Sequence, residues 1–128
     1  MVASITVEVL QSFADAFNRH DADSLMTFMT EDCVFEASAG PDACGARFAG
    51  VDAVRAAFVD VWTTFPDARW SDARHFVSGD RGVSEWLFSG TRRDGTRVEV
   101  RGCDLFTFRA GKIALKDSYR KNRSHVQP

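Results

Sequence analysis

The sequence predicts an α+β fold in which three N-terminal helices pack on one face of a curved antiparallel sheet of four long strands plus a short one. Three observations predict it. Apolar residues recur at i, i+3, i+4, i+7 in the first half of the chain, the spacing of a buried helix face. From residue 68 onward the pattern changes to strand-like alternation, punctuated by the turn signals Gly79-Asp80-Arg81-Gly82, Asp94-Gly95 and Ala110-Gly111-Lys112. Finally, 128 residues at 45% hydrophobic and 27% charged content are enough for one sizeable core and too apolar for a disordered chain, so residues 1–128 read as one domain.

Each element has its own reason. Leu10, Phe13, Ala14 and Phe17 form the stripe of a first helix, with Ser4 as its cap, and Asn18-Arg19-His20-Asp21 ends it. Asp21 or Asp23 caps a short second helix whose apolar side holds Leu25, Phe28 and Met29. Cys33-Val34-Phe35-Glu36 reads as a short strand, and the Gly- and Ala-rich stretch 37–50 as a loop with a small strand near Arg47-Phe48. Asp52 starts a third helix striped by Val54, Phe58, Val61, Trp62 and Phe65 and closed by Pro66. Residues 68–78, 83–91, 96–109 and 113–121 are the four long strands. A long sheet of this kind twists and curls, and helices laid on its concave side leave a cavity wherever packing is incomplete.

Composition narrows the function. A formal charge of −2 and the absence of a basic patch argue against nucleic acid as a partner, and Arg120-Lys121-Asn122-Arg123 reads as a solvated strand end. Cys33, Cys44 and Cys103 are sparse and odd in number, without metal-ligand spacing, which predicts reduced thiols and no metal. No apolar run reaches membrane-spanning length and the start lacks signal-peptide character, so a cytoplasmic location is expected. No phosphate loop, dinucleotide fingerprint or nucleophile elbow occurs, so no cofactor is expected.

The residue that stands out is Asp104. In the strand Val98-Glu99-Val100-Arg101-Gly102-Cys103-Asp104-Leu105-Phe106-Thr107-Phe108 it shares a face with Val98, Val100, Phe106 and Phe108. A carboxyl on such a face is paired, protonated or useful, because burying a bare charge is costly. Either it moves a proton in a pocket, or an arginine or tyrosine hydroxyl satisfies it structurally. In the last strand Ile113, Leu115, Asp117 and Tyr119 have one parity and Lys116, Ser118 and Arg120 the other; parity alone does not say which faces inward. Tyr119 is a candidate donor to a substrate oxygen or to Asp104, and Arg120 a candidate partner for a carboxylate. Phe17, Trp62, Trp86 and Phe88 are the candidate cavity aromatics, suited to a small apolar or aromatic molecule. His75 reads as half-buried, and His20 and His125 as exposed.

Several segments resemble the nuclear transport factor 2-like superfamily, which includes SnoaL-like polyketide cyclases and ketosteroid isomerases: Phe13-Ala14-Asp15-Ala16-Phe17-Asn18-Arg19-His20-Asp21, Glu31-Asp32-Cys33-Val34-Phe35-Glu36, Phe48-Ala49-Gly50-Val51-Asp52-Ala53-Val54-Arg55, and Asp104-Leu105-Phe106-Thr107-Phe108-Arg109-Ala110-Gly111-Lys112-Ile113. The resemblance implies a cone-shaped sheet, often paired as a homodimer. It places Asp104 at the acid that the cyclases use beside carbonyls and at the protonated acid of the isomerase oxyanion hole. Phe13 stands where the isomerase has its oxyanion tyrosine, and Ala37 where it has its general base; Glu36 is adjacent but on the other strand face. The chain is thus expected to be a pocket protein, either a cofactor-independent isomerase, cyclase or hydrolase using Asp104, or a non-catalytic ligand-binding or dimeric accessory protein.

Overall fold

The computed structural model describes residues 4–124; His125 lies outside them. Helix α1 spans Val7–Asn18 and α2 spans Ala22–Thr27. The cap of α1 is Thr6, not Ser4: its hydroxyl accepts the Val9 N–H at 3.3 Å. Asp21 caps α2 as expected, accepting from the Ser24 N–H at 3.1 Å and the Ser24 hydroxyl at 2.6 Å. Strand β1, Met29–Glu36, is longer than its apolar tetrapeptide suggested, and β2, Arg47–Ala49, is the small strand. Helix α3, Val51–Thr64, begins after Gly50, which at φ +90° offers no side-chain cap, so Asp52 sits in the first turn. Strands β3, Arg69–Ser78, β4, Arg81–Thr91, β5, Arg97–Arg109, and β6, Lys112–Arg120, follow with the turns where the sequence put them.

The six strands form one curved sheet in the order β2-β1-β6-β5-β4-β3. All neighbours are antiparallel except β1 and β6, which run parallel and seat the short N-terminal strands beside the last one. Helices cover the concave face. One core cluster joins α1, α2 and α3 to the sheet through Leu10, Phe13, Leu25, Phe58, Phe106 and Ile113. A second, made by Phe65, Trp86, Phe88 and Val100, lies toward the other end of β4 and β5. A fully buried side chain such as Phe58 or Phe88 contributes about 1.5–3 kcal/mol, so the two clusters account for most of the drive to fold.

Two bulges decide what the concave face carries. In β6, Thr107 pairs with Leu115 while the next residue, Phe108, pairs with Ile113, so Ala114 is an extra residue. Ile113 and Lys116 consequently both point inward despite opposite parity. In β3 the ladder shifts between Ser71 and Arg74, around Asp72 at φ +55°, and Trp70 and His75 both reach the concave side.

Candidate active site

Four strands place one polar residue each in a single row across the concave face. Ser118 on β6 is paired in register with Asp104 on β5, Asp104 with Ser84 on β4, and Ser84 with His75 on β3. In-register residues project to the same face, so the row is a consequence of strand alternation. Asp104 is 6% exposed and so is Lys116, two positions before Ser118 on β6. The Lys116 ammonium donates to Asp104 Oδ1 at 3.0 Å and to Ser118 Oγ at 2.9 Å. The Ser118 hydroxyl donates to Asp104 Oδ1, and Trp86 Nε1–H donates to Asp104 Oδ2 at 3.0 Å. Both carboxylate oxygens are therefore engaged, and the buried charge has its counter-ion, as burial demands.

Packing fixes both partners of this pair. The ammonium lies 4.8 Å from the ring centroid of Phe35, 5.0 Å from Phe17 and 5.7 Å from Phe58, a cage of three aromatic faces. Trp86 reaches Asp104 because Gly102 faces it across the ladder; a Cβ at Gly102 would come within 2.6 Å of the indole ring and 2.4 Å of the Tyr119 carbonyl oxygen. At the far end of the row, His75 Nε2 lies 2.9 Å from Gln11 Oε1 and Nδ1 lies 2.7 Å from Ser84 Oγ. This network fits the Nε2–H tautomer, with Nδ1 accepting from the serine. Burial lowers the His75 pKa, partly offset by the charge of Asp15.

In front of the pair lies a cavity of about 630 Å³, within the range of small-molecule sites. Its volume follows from small residues: Ala53, Ala56 and Ala57 on one face of α3, and Ala37, Ala39 and Ala46 after β1, leave space that larger side chains would fill. Aromatic walls come from both core clusters. Lys116, Ser118 and Arg120 face it from successive inward positions of β6, and Asp60 on α3 is the carboxylate among its described lining residues. Arg120 Cζ sits 4.8 Å from the centroid of Phe88 and Nε donates to Ser38 Oγ at 3.2 Å. Desolvation, and then the charge of Arg92, lower the Arg120 pKa from its ordinary value. Among the described residues no three of His, Cys, Asp and Glu gather as a metal site.

The structure brings Phe17, Trp86, Phe88 and Arg120 to the cavity wall. It does not bring the other three predicted residues there. Asp104 lies behind Lys116 and Ser118, against a separate void of about 20 Å³, room for roughly one water, which it shares with Ser84 and Lys116. Tyr119 is on the opposite face of β6, 53% exposed, its hydroxyl 3.2 Å from Asp117 Oδ2, and that bond raises its pKa. The Ala114 bulge is the reason, since it turns the even-numbered residues of β6 inward. Trp62 is about 100° around α3 from Val61 and points toward α1, stacking on His20 at 5.0 Å. That stack, with His20 Nε2 3.0 Å from the Ala68 carbonyl oxygen, also makes His20 half-buried and not exposed. Sequence reasoning misses Lys116, Ser118 and Ser84 as members of the site. β6 gives little signal for Lys116, because Lys112, Asp117 and Arg120 surround it with other charges.

Residues 10–116 match the family model of the SnoaL-like domain. An NTF2-like protein of unknown function from Mesorhizobium loti is 32% identical, with 91% of this chain and 90% of that one covered and a TM-score of 0.74. A "putative polyketide cyclase" from Xanthomonas campestris pv. campestris is 21% identical over 90% and 89% of the two chains, at a TM-score of 0.80. A hypothetical protein with a ketosteroid isomerase-like fold from Catenulispora acidiphila, solved with trimethylamine, is 18% identical over 90% and 86%, at 0.77. No curated protein matches.

Proposed function

This chain belongs to the SnoaL-like domain family, and on that footing we propose that it binds a flat, largely apolar carbonyl compound, sets the carbonyl oxygen against Lys116 and Ser118, and performs isomerase- or cyclase-type chemistry through the enolate. The observation that carries this reading is the buried ammonium. Two of its three N–H donors are committed, to Asp104 and Ser118, and the group stands on the wall of the apolar cavity. A cation held this way needs no reorganisation to meet charge developing on an oxygen, and its low-dielectric surroundings strengthen the interaction. Asp104 is then a positioning residue that orients and neutralises Lys116 without touching the ligand. The proton lost from the carbon beside the carbonyl passes to Asp60, the carboxylate on the wall of α3. The cyclase name of the Xanthomonas campestris neighbour belongs to the same reaction class.

The test is hydrogen exchange in a probe ketone. 2-Tetralone, flat and bicyclic with acidic α-hydrogens, is incubated in D₂O with the protein and followed by ¹H NMR. Protein-dependent loss of the α signal is expected, reduced roughly 10²–10³-fold in Lys116→Met, the usual loss when one oxyanion donor is removed. Exchange no faster than buffer alone, with tetralone bound, would overturn the enzymatic reading. It would instead favour a second one, a non-catalytic ligand carrier. The observation behind that reading is that Asp104 is already engaged by Lys116, Ser118 and Trp86 and lies behind the cavity wall, so this buried acid is not free to take a proton from a ligand.

A further inference from the structure

The mouth of the cavity carries a second charged feature. Arg92, just beyond the end of β4, and Arg120, at the end of β6, both line the cavity and are both exposed, which puts them at its mouth. Each guanidinium lies over an aromatic ring, Arg92 Cζ 4.9 Å from the centroid of Phe65 and Arg120 Cζ 4.8 Å from that of Phe88. Those two rings touch edge to face at 5.1 Å, so the two cations stand above adjacent rings on one rim. Neither arginine has a carboxylate within 4.0 Å among the described residues; the nearby acids engaged by arginines, Asp67 and Glu99, belong to Arg97. Asp60 is the single acid on the same lining. Deeper in, the charge of Lys116 is cancelled by Asp104. Among the lining residues the rim therefore holds two cations against one anion above an apolar chamber; Asp94, outside the lining in the turn after β4, feels the charge of Arg92. The ring platforms restrict where the guanidinium planes lie; Arg120 Nε–H is given to Ser38 Oγ, which leaves the Nη groups of Arg120 and the N–H groups of Arg92 to a ligand.

We propose that Arg92 and Arg120 form a carboxylate clamp, and that the ligand class is an amphipathic acid, with an apolar body in the cavity and its carboxylate held at the rim by these two side chains. The proposal rests on the cavity being a small-molecule site, as read above, and adds the charge and orientation of what enters it. Guanidinium groups bind carboxylates through paired, charge-assisted hydrogen bonds, and an anion between two like charges relieves their mutual repulsion. With the acid at the mouth, the opposite end of the molecule is the one that meets Lys116 and Ser118.

The experiment compares two probes of one shape by isothermal titration calorimetry, 2-naphthoate and 2-naphthamide. Naphthoate is expected to bind roughly tenfold more tightly at about 0.05 M salt, a gap that narrows at about 0.5 M as screening grows. The double variant Arg92→Gln/Arg120→Gln should erase the gap while leaving the amide's affinity within about twofold, and Arg92→Gln alone should cut it roughly threefold. Circular dichroism checks that the variants fold, and the single variant, at an exposed position, keeps the test valid should the double one unfold. Equal affinities for the two probes, tighter binding of the amide, or a gap that survives Arg92→Gln with Arg120→Gln would overturn the clamp and leave the pocket reading standing. Binding of neither probe would overturn both.

Discussion

Replacing Lys116 by Met tests whether the buried pair is a coupled unit. Methionine keeps the apolar stem among Phe17, Phe35 and Phe58 and removes only the ammonium. Two unit charges 3.0 Å apart attract by about 5 kcal/mol gross at an effective dielectric near 20, before desolvation is subtracted. Removing one partner of such a pair leaves a carboxylate that is 6% exposed with only the Ser118 and Trp86 donors. The expected destabilisation is about 3–5 kcal/mol, a large share of the roughly 5–15 kcal/mol that holds a domain together. Asp104→Asn should cost a similar amount, by stranding the ammonium. The double variant Asp104→Asn/Lys116→Met strands neither charge and should fall about 2–4 kcal/mol short of the summed single costs. Urea unfolding followed by tryptophan fluorescence reads all four proteins, since Trp86 reports from beside the pair. A Lys116→Met cost below about 1 kcal/mol, or additivity within about 0.5 kcal/mol, would mean that Lys116 and Asp104 are not a coupled pair.

Gly102→Ala should push the Trp86 indole off Asp104 and cost about 1–3 kcal/mol, with a shifted tryptophan emission; an unchanged spectrum and stability would mean that Gly102 is not what lets Trp86 reach Asp104. Stability should fall as pH drops below about 6.5, because the folded His75 has a lowered pKa and the unfolded chain takes up the proton first; thermal melts from about pH 8 to 5 check this, and His75→Gln should flatten the slope. Ala56→Phe, placed on the cavity face of α3, should weaken 2-tetralone binding more than about tenfold while changing stability little, measured by calorimetry and thermal melts. Undiminished binding would put the ligand elsewhere.

Much of the architecture was legible because it depends on local rules. Strand alternation put Asp104 on the same face as Val100, Phe106 and Phe108, and all four are buried. The turn residues put the hairpins at Gly79-Asp80, Asp94-Gly95 and Ala110-Gly111, because positive φ at Gly79, Gly95, Ala110 and Gly111 is what such turns require. What was not legible were the bulges. An extra residue at Ala114 inverts the parity of β6, and no composition signal marks it, so Tyr119 and Lys116 exchange faces relative to Ile113. The parallel pairing of β1 with β6 is likewise a tertiary choice. The sequence pointed to a tyrosine or an arginine as Asp104's partner; the bulge brings Lys116 and Ser118 to it instead, and the regular β4 ladder adds Trp86.

The claim on which the rest depends is that the caged ammonium of Lys116 stabilises negative charge on a ligand oxygen. It is tested most directly by the ionisation of bound 4-nitrophenol, whose phenolate is read by its visible absorbance across pH. Bound nitrophenol is expected to ionise at least about one pH unit below the free compound, equivalent to about 1.4 kcal/mol, and Lys116→Met should abolish the difference. Ionisation unchanged or moved upward on binding, or lowered equally in Lys116→Met, would contradict it.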